Sequence, residues 1–255
     1  MSTLITQYLG EGTAASRPAT PSVATGCIAF YYATDTSTLS VWNGSSWGSV
    51  GGYSPGTAPT IVQSAHGNTG GATGGGAGLT MTSAPTNGIL LVAMTFNPTT
   101  ATANTGWTQL ASNSSGTDYG TILYKVAGAG ESTTQTPLSG TVAAPACMII
   151  WEIAGANASP FVFTTMQAEQ SGTSNSSGAL PNVANAIFLG AIGLVSTSYN
   201  NSALINVTQD AKDTSGTGRQ LAAGHSTLAT APLAQIFATF TGSASSKACG
   251  LVVTA

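Results

Sequence analysis

The chain has 255 residues, 42% hydrophobic and 5% charged, with a formal net charge of -3. A disordered chain would be poor in hydrophobics and rich in net charge, so this one folds, with hydroxyls and amides making its surface polar. Its five basic residues (Arg17, Lys125, Lys212, Arg219, Lys247) are scattered, which leaves nucleic-acid binding without a footprint, and its longest apolar run, Ala186 to Val195, falls well short of the roughly 20 residues of a membrane helix.

Residues 1–25 hold no sustained period of two or 3.6, and Pro18 and Pro21 punctuate them. They read as an extended arm that orders by lying on a partner or on its own body. MSTLITQYLGEGT has no basic segment followed by an apolar one, so no secretory signal is expected. Strands are predicted at Ile28–Ala33 and Thr38–Trp42, with Asn43-Gly44 as the turn closing toward Trp47. Trp42 and Trp47 sit in a meander with little core of its own, so they should cover it or an adjacent subunit. Gly44 to Gly48 satisfies the G-x-S-x-G pattern of a nucleophile elbow around Ser46, but GSVGGYSPG cannot form the helix that such an elbow requires. Gly48–Pro59 is a linker by composition, which puts an attachment region at 1–58 and a body at 59–255.

In the body, strands are predicted at Thr60–Ala65, Gly78–Thr82, Ile89–Phe96, Trp107–Ala111, Thr121–Ala127, Cys147–Ala154, Phe161–Gln167, Ala186–Val195, Leu204–Gln209, Arg219–Ser226, Gln235–Thr241 and Ala248–Thr254. Turn-rich segments such as NTGGATGGGAG and EQSGTSNSSG separate them. No segment holds a helical period over three turns, so the fold class is all-β, a β-sandwich or jelly roll. Two runs that open on alanine and cysteine, ACMIIWEIAG and the terminal ACGLVVTA, are the expected central strands. A faint echo about 97–102 residues apart pairs ILLVAMTF with IFLGAIGL, YKVAGAG with LAAGHST, and these two runs with each other.

Cys27, Cys147 and Cys249 are odd in number and far apart, as expected for buried free thiols of a protein made in a reducing cytoplasm. A Cys147–Cys249 bridge is open sterically if their strands are neighbours. GGATGGGAG lacks the Lys and the helix of a phosphate loop. His66 and His225 have no acid at a telling spacing and read as structural. Asp210 and Asp213 lack the spacing of a calcium loop and read as a solvated turn. Glu152, alternating with Trp151 and Ile153, should face outward, and if buried it needs a partner such as Lys247 or Lys125. Trp107 and Trp151 belong to apolar strands and should be core rather than sugar platforms. No catalytic residue, cofactor site or metal site is expected.

YYATDTSTLSVWNGSSW resembles a small β-meander in structural proteins of tailed bacteriophages, where it joins an N-terminal attachment arm to a distal domain. PTNGILLVA, GWTQLAS, LYKVAGAGE and IIWEIAG resemble, more weakly, a domain of phage tail and head surface proteins. The resemblance implies a non-enzymatic virion protein, made in the host cytoplasm and bound to major capsid or tail proteins. Tyr8, Leu9, Ile28, Phe30, Tyr31, Trp42 and Trp47 would be its attachment residues. A capsid-decoration (cement or head-fibre) role, as a homotrimer, is the leading expectation. A tail-fibre module that binds a receptor or host surface glycan is the alternative.

Overall fold

The computed structural model describes residues 5–22, 27–33, 38–42, 45–49, 58–69, 78–97, 101–116, 119–139, 146–157, 159–181, 183, 185–195, 207–213, 220–227 and 233–255. Among them are strands, one short 3-10 turn and no α-helix, so the protein is all-β. The chain divides into two compact units, Met1–Gly56 and Thr57–Ala255.

The N-terminal unit is one sheet of four strands in the order β1 (Ile5–Gly12), β2 (Cys27–Ala33), β3 (Thr38–Trp42), β4 (Trp47–Ser49). β2, β3 and β4 are antiparallel neighbours, and Trp42 stands opposite Trp47. Of the two settings open to the extended arm, its own body supplies the partner, and a run with no predicted strand forms one. Ile5–Gly12 pairs with β2 in parallel, Tyr8 opposite Phe30, with a register shift before Glu11. Parallel pairing needs a crossover, and that crossover carries the 3-10 turn Ala14–Ser16, closed by Ser16 N–H donating to Thr13 O at 2.9 Å.

The larger unit is built from two sheets. The first holds β5 (Thr60–Thr69), β7 (Leu90–Asn97), β9 (Thr108–Asn113), β10 (Tyr119–Val126) and β13 (Ala146–Ala154), in the spatial order β5-β13-β7-β10-β9. The second holds β14 (Phe161–Met166), β17 (Ala186–Val195), β18 (Thr208–Asp213), β19 (Gln220–Thr227) and β21 (Phe237–Thr254), in the order β14-β21-β17-β19-β18. Both orders are first, fifth, second, fourth, third in chain sequence. Each sheet is also flanked by a two-residue ribbon at the equivalent place, β6 (Leu79–Thr80) with β11 (Thr134–Gln135) and β16 (Leu180–Pro181) with β20 (Leu233–Ala234). The sequence echo therefore has a structural counterpart, because its three paired motifs fall on equivalent strands. Each half of the unit supplies one whole sheet, unlike a jelly roll, whose strands interleave between sheets.

The sheets face each other in opposite order: β5 against β18 and β19, β13 against β19, β7 against β17, β10 against β21, and β9 against β14. An approximate two-fold axis thus runs between them. The shared core takes Val92, Met94, Phe96, Ile149 and Trp151 from one sheet and Leu189, Ala191, Leu221, Cys249 and Leu251 from the other. Antiparallel sheets often leave one face to water, but here both outer faces are covered as well. Leu79, Met81, Trp107 and Leu138 lie over Leu91, Ala93 and Met148 of the first sheet. Leu180 and Ile236 lie over Phe188 and Ile192 of the second. Burial on both faces explains why the central strands are continuous apolar runs rather than alternating ones.

Two further expectations are corrected. The turn-rich EQSGTSNSSG contains β15 (Gln170–Ser176), which pairs with the first part of β21, and Gln235–Thr241 and Ala248–Thr254 join in that one long strand. Cys147 and Cys249 lie in opposite sheets rather than on neighbouring strands, and both are buried. Burial pushes the Cys249 thiol far above its ordinary range. Cys27 lies on β2, where its side chain is outside the described residues.

An ion pair closes the turn after β10. Lys125 Nζ donates to Glu131 Oε1 at 2.6 Å and lies 5.3 Å from the centre of the Trp107 ring. Burial alone would raise the Glu131 pKa, but the Lys125 bond and charge, the Gly128 N–H and the Gln135 amide outweigh it and hold the group below its ordinary 4.5. A carboxyl lowered by folding stabilises the fold above its unfolded pKa, and that contribution fades as pH falls through the folded value. In urea titrations the wild type should exceed Glu131→Gln at neutral pH, and the difference should shrink as pH falls below about 4.5. A gap that stays constant with pH would mean the pair is inert.

Candidate functional site

The attachment residues expected from sequence lie on the four-stranded sheet. Tyr8 and Leu9 are on β1 and Ile28 is on β2, their side chains outside the described residues. Phe30 is half-buried on β2. Tyr31, Trp42 and Trp47 come together: the Trp42 and Trp47 rings meet edge to face at 5.6 Å, and Tyr31 meets Trp47 at 6.3 Å. These residues also hold the crossover. Tyr31 donates its hydroxyl to Thr13 O at 3.2 Å, and Trp47 Nε1 donates to Pro18 O at 2.7 Å. Arg17 lies 5.5 Å from the centre of the Trp47 ring and donates to Ser40 Oγ at 2.8 Å. The cluster therefore fastens residues 13–18 to the meander, and Tyr31 and Trp47 are largely committed to that task. Asn43 and Gly44 lie outside the described residues. Ser46 is exposed in the hairpin between β3 and β4, a strand-to-strand turn without the helix of a nucleophile elbow.

In the sandwich the most chemically capable cluster joins the two sheets. Asp210 on β18 accepts from Trp151 Nε1 of the opposite sheet at 2.7 Å, and His225 Nδ1 on β19 lies 2.7 Å from both Asp210 oxygens. Asp210 is thus not in a solvated turn, since its side chain is 9% exposed. Asp213 ends β18 with its side chain outside the described residues, and no group of three metal-ligating side chains occurs among the described residues. An aspartate on Nδ1 orients an imidazole, and the two make two parts of a catalytic triad. Among the described residues, though, the hydrogen-bond partner of His225 is Asp210, and the same carboxylate is tied to a core indole. His66, by contrast, is exposed on β5.

Glu152 is fully buried and faces the outer side of its sheet, as alternation implies. Its partners are neither Lys247 nor Lys125. Gln63 Nε2 donates to Oε2 at 2.5 Å and Thr86 N–H donates to Oε1 at 2.7 Å. Gln63 in turn bridges to Ser83, at 3.1 Å to its N–H and 3.2 Å to its carbonyl. This chain of bonds sews the 83–86 loop onto the sheet. The partners are unreadable in sequence because strand register, and no charge pattern, brings Gln63 opposite Glu152.

A hollow of about 210 Å³ opens at the end of the first sheet, with Leu90, Tyr124, Val126, Asn157 and Pro160 in its wall. Tyr124 packs on Phe161 at 4.7 Å, and Asn157 Nδ2 donates to Ala255 O at 3.2 Å. Trp107 and Trp151 are buried, as expected. Comparison with protein-family models, curated proteins and solved structures matches nothing.

Proposed function

We propose that the protein is a non-enzymatic surface component of a tailed-phage particle, attached through its Met1–Gly56 unit and presenting the sandwich as its body. The observation that carries this reading is that the motif resembling the phage meander lies wholly inside a unit that is compact by itself. Its aromatic cluster clasps the crossover, so the attachment module would be preformed rather than an arm ordered only on docking. The sandwich supports a packed setting in two ways. Charged residues make up only 5% of the sequence. Edge strands β5 and β14 expose Val62, Val162 and Phe163, at 51%, 44% and 37%, where a neighbouring copy could cover them. Capsid decoration remains the leading role, with a homotrimer as its assembly.

One observation favours the alternative, a tail-fibre module for a host surface glycan: Tyr124 and Asn157, an aromatic and an amide, both line the hollow. The same experiment separates the two. Labelled full-length protein and a form lacking residues 1–56 are offered to particles devoid of the protein and, separately, to host envelopes. Decoration predicts that the full chain sediments with particles and the truncated form does not. Equal sedimentation of both forms would transfer the docking role to the sandwich. Binding of both forms to envelopes, with none to particles, would establish the glycan reading instead.

A further inference from the structure

We propose that Lys247 and Asn113 condense to an intramolecular side-chain amide, tying β21 of one sheet to β9 of the other. A fully buried lysine is rare and calls for a reason, and Lys247 is 0% exposed in a chain with only five basic residues. It lies on β21 opposite Gly193 and points between the sheets, in phase with Cys249 and Leu251. Its stem packs over Gly120 of the facing sheet, with the lysine Cδ at van der Waals distance, 3.6 Å, from the position of a Cβ there.

There, Lys247 Nζ donates to Asn113 O at 2.8 Å and stands 3.4 Å from Asn113 Oδ1. The Asn113 amide is fixed: Ser115 N–H donates to Oδ1 at 2.8 Å, and Nδ2 donates to Met166 O at 3.4 Å. A backbone N–H on Oδ1 polarises the carbonyl toward attack at Cγ. A carboxylate, Glu169, is tied to the neighbours of both residues. Glu169 N–H donates to Ser115 Oγ at 3.2 Å, two residues past Asn113, and its Oε1 accepts from the hydroxyl of Ser245, two residues before Lys247. Its carboxylate lies against Gly116, on the space that a Cβ would fill.

The step balances without an oxidant or co-reactant. Neutral Nζ attacks Asn113 Cγ, the Nζ–Cγ bond forms and the Cγ–Nδ2 bond breaks. Glu169 takes a proton from Nζ and returns it to Nδ2, which leaves as ammonia. The step needs the neutral amine, the form that removal from water favours. The linkage would close most of the sandwich into one covalent loop between residues 113 and 247.

Mass spectrometry of the purified full chain tests this. The linked protein weighs about 17 Da less than its sequence, the mass of ammonia. Trypsin, which does not cut the Arg17–Pro18 bond, then yields residues 1–125 joined to 220–255, with no cleavage after Lys247. That joined product distinguishes the linkage from a cyclised asparagine of equal mass change. Lys247→Arg keeps the charge and should show no loss of ammonia, and Glu169→Gln should leave most of the protein unlinked. A wild-type chain at full sequence mass, with both peptides linear, would overturn the proposal whether or not any variant folds. Full linkage in Glu169→Gln would overturn the role given to that carboxylate.

Discussion

Replacing Phe96 by alanine should cost about 3–5 kcal/mol of unfolding free energy, the range for removing a large aromatic from a packed core. Phe96 is fully buried on β7 and reaches across to the facing strand β17. A Cβ added at Gly193 would lie 2.3 Å from Phe96 Cγ and 2.6 Å from its Cβ. Gly193 is therefore glycine because the ring occupies the space of its side chain. Gly193→Ala should in turn cost about 1–3 kcal/mol through overpacking, because the ring cannot move without pushing the sheets apart. The two losses should not add. In the double variant the contacts with the ring atoms are gone and the methyl can shift from the remaining Cβ, 2.6 Å away, into the cavity left by the ring, so the coupling should reach about 1 kcal/mol in a double-mutant cycle. Urea unfolding followed by tryptophan fluorescence gives all four free energies. Strict additivity would mean that the two residues do not meet.

The same contact shows which features the sequence could reveal. Ala186–Val195 is a strand with the predicted bounds, because a central strand buried on both faces is written as an unbroken apolar run. β13 was legible for the same reason. β15, with the sequence QSGTSNS, carries no apolar side chain and is a strand only because the start of β21 lies beside it. β1 likewise gains its hydrogen bonds from β2, and its own residues carry no period that marks it. The doubling of the sandwich was legible as a faint echo, since equivalent central strands keep their apolar character while loops and surface positions have diverged. The polar clusters were not legible. Glu152 meets Gln63 across a strand pair, and Asp210 meets His225 across β18 and β19, where the register shifts between Gln209 and Ala211. A shifted register erases the fixed spacing by which a dyad could be read from the chain. The Lys247–Asn113 contact spans opposite sheets and is further still from any local pattern.

Asp210→Ala should destabilise the sandwich by about 1–3 kcal/mol, because it strands the Trp151 indole N–H in the core without an acceptor. Trp151 is fully buried, and its donor has Asp210 as the partner on the opposite sheet. The carboxylate also holds His225, so its loss removes two hydrogen bonds that involve a charged group. Asp210→Asn should cost less, since the amide oxygen can still accept from the indole. Trp151→Phe alone removes the donor together with the need for an acceptor, but it also shrinks the core. The decisive quantity is again a coupling. If the indole is the main client of Asp210, then Asp210→Ala should cost much less in the Trp151→Phe background than in the wild type. Chemical unfolding of the four proteins provides it. A cost unchanged by Trp151→Phe would assign the stabilisation to His225, and the inter-sheet bond would then be incidental. A cost near zero in both backgrounds would remove the structural explanation of a buried Asp–His pair and return that pair to consideration as chemistry.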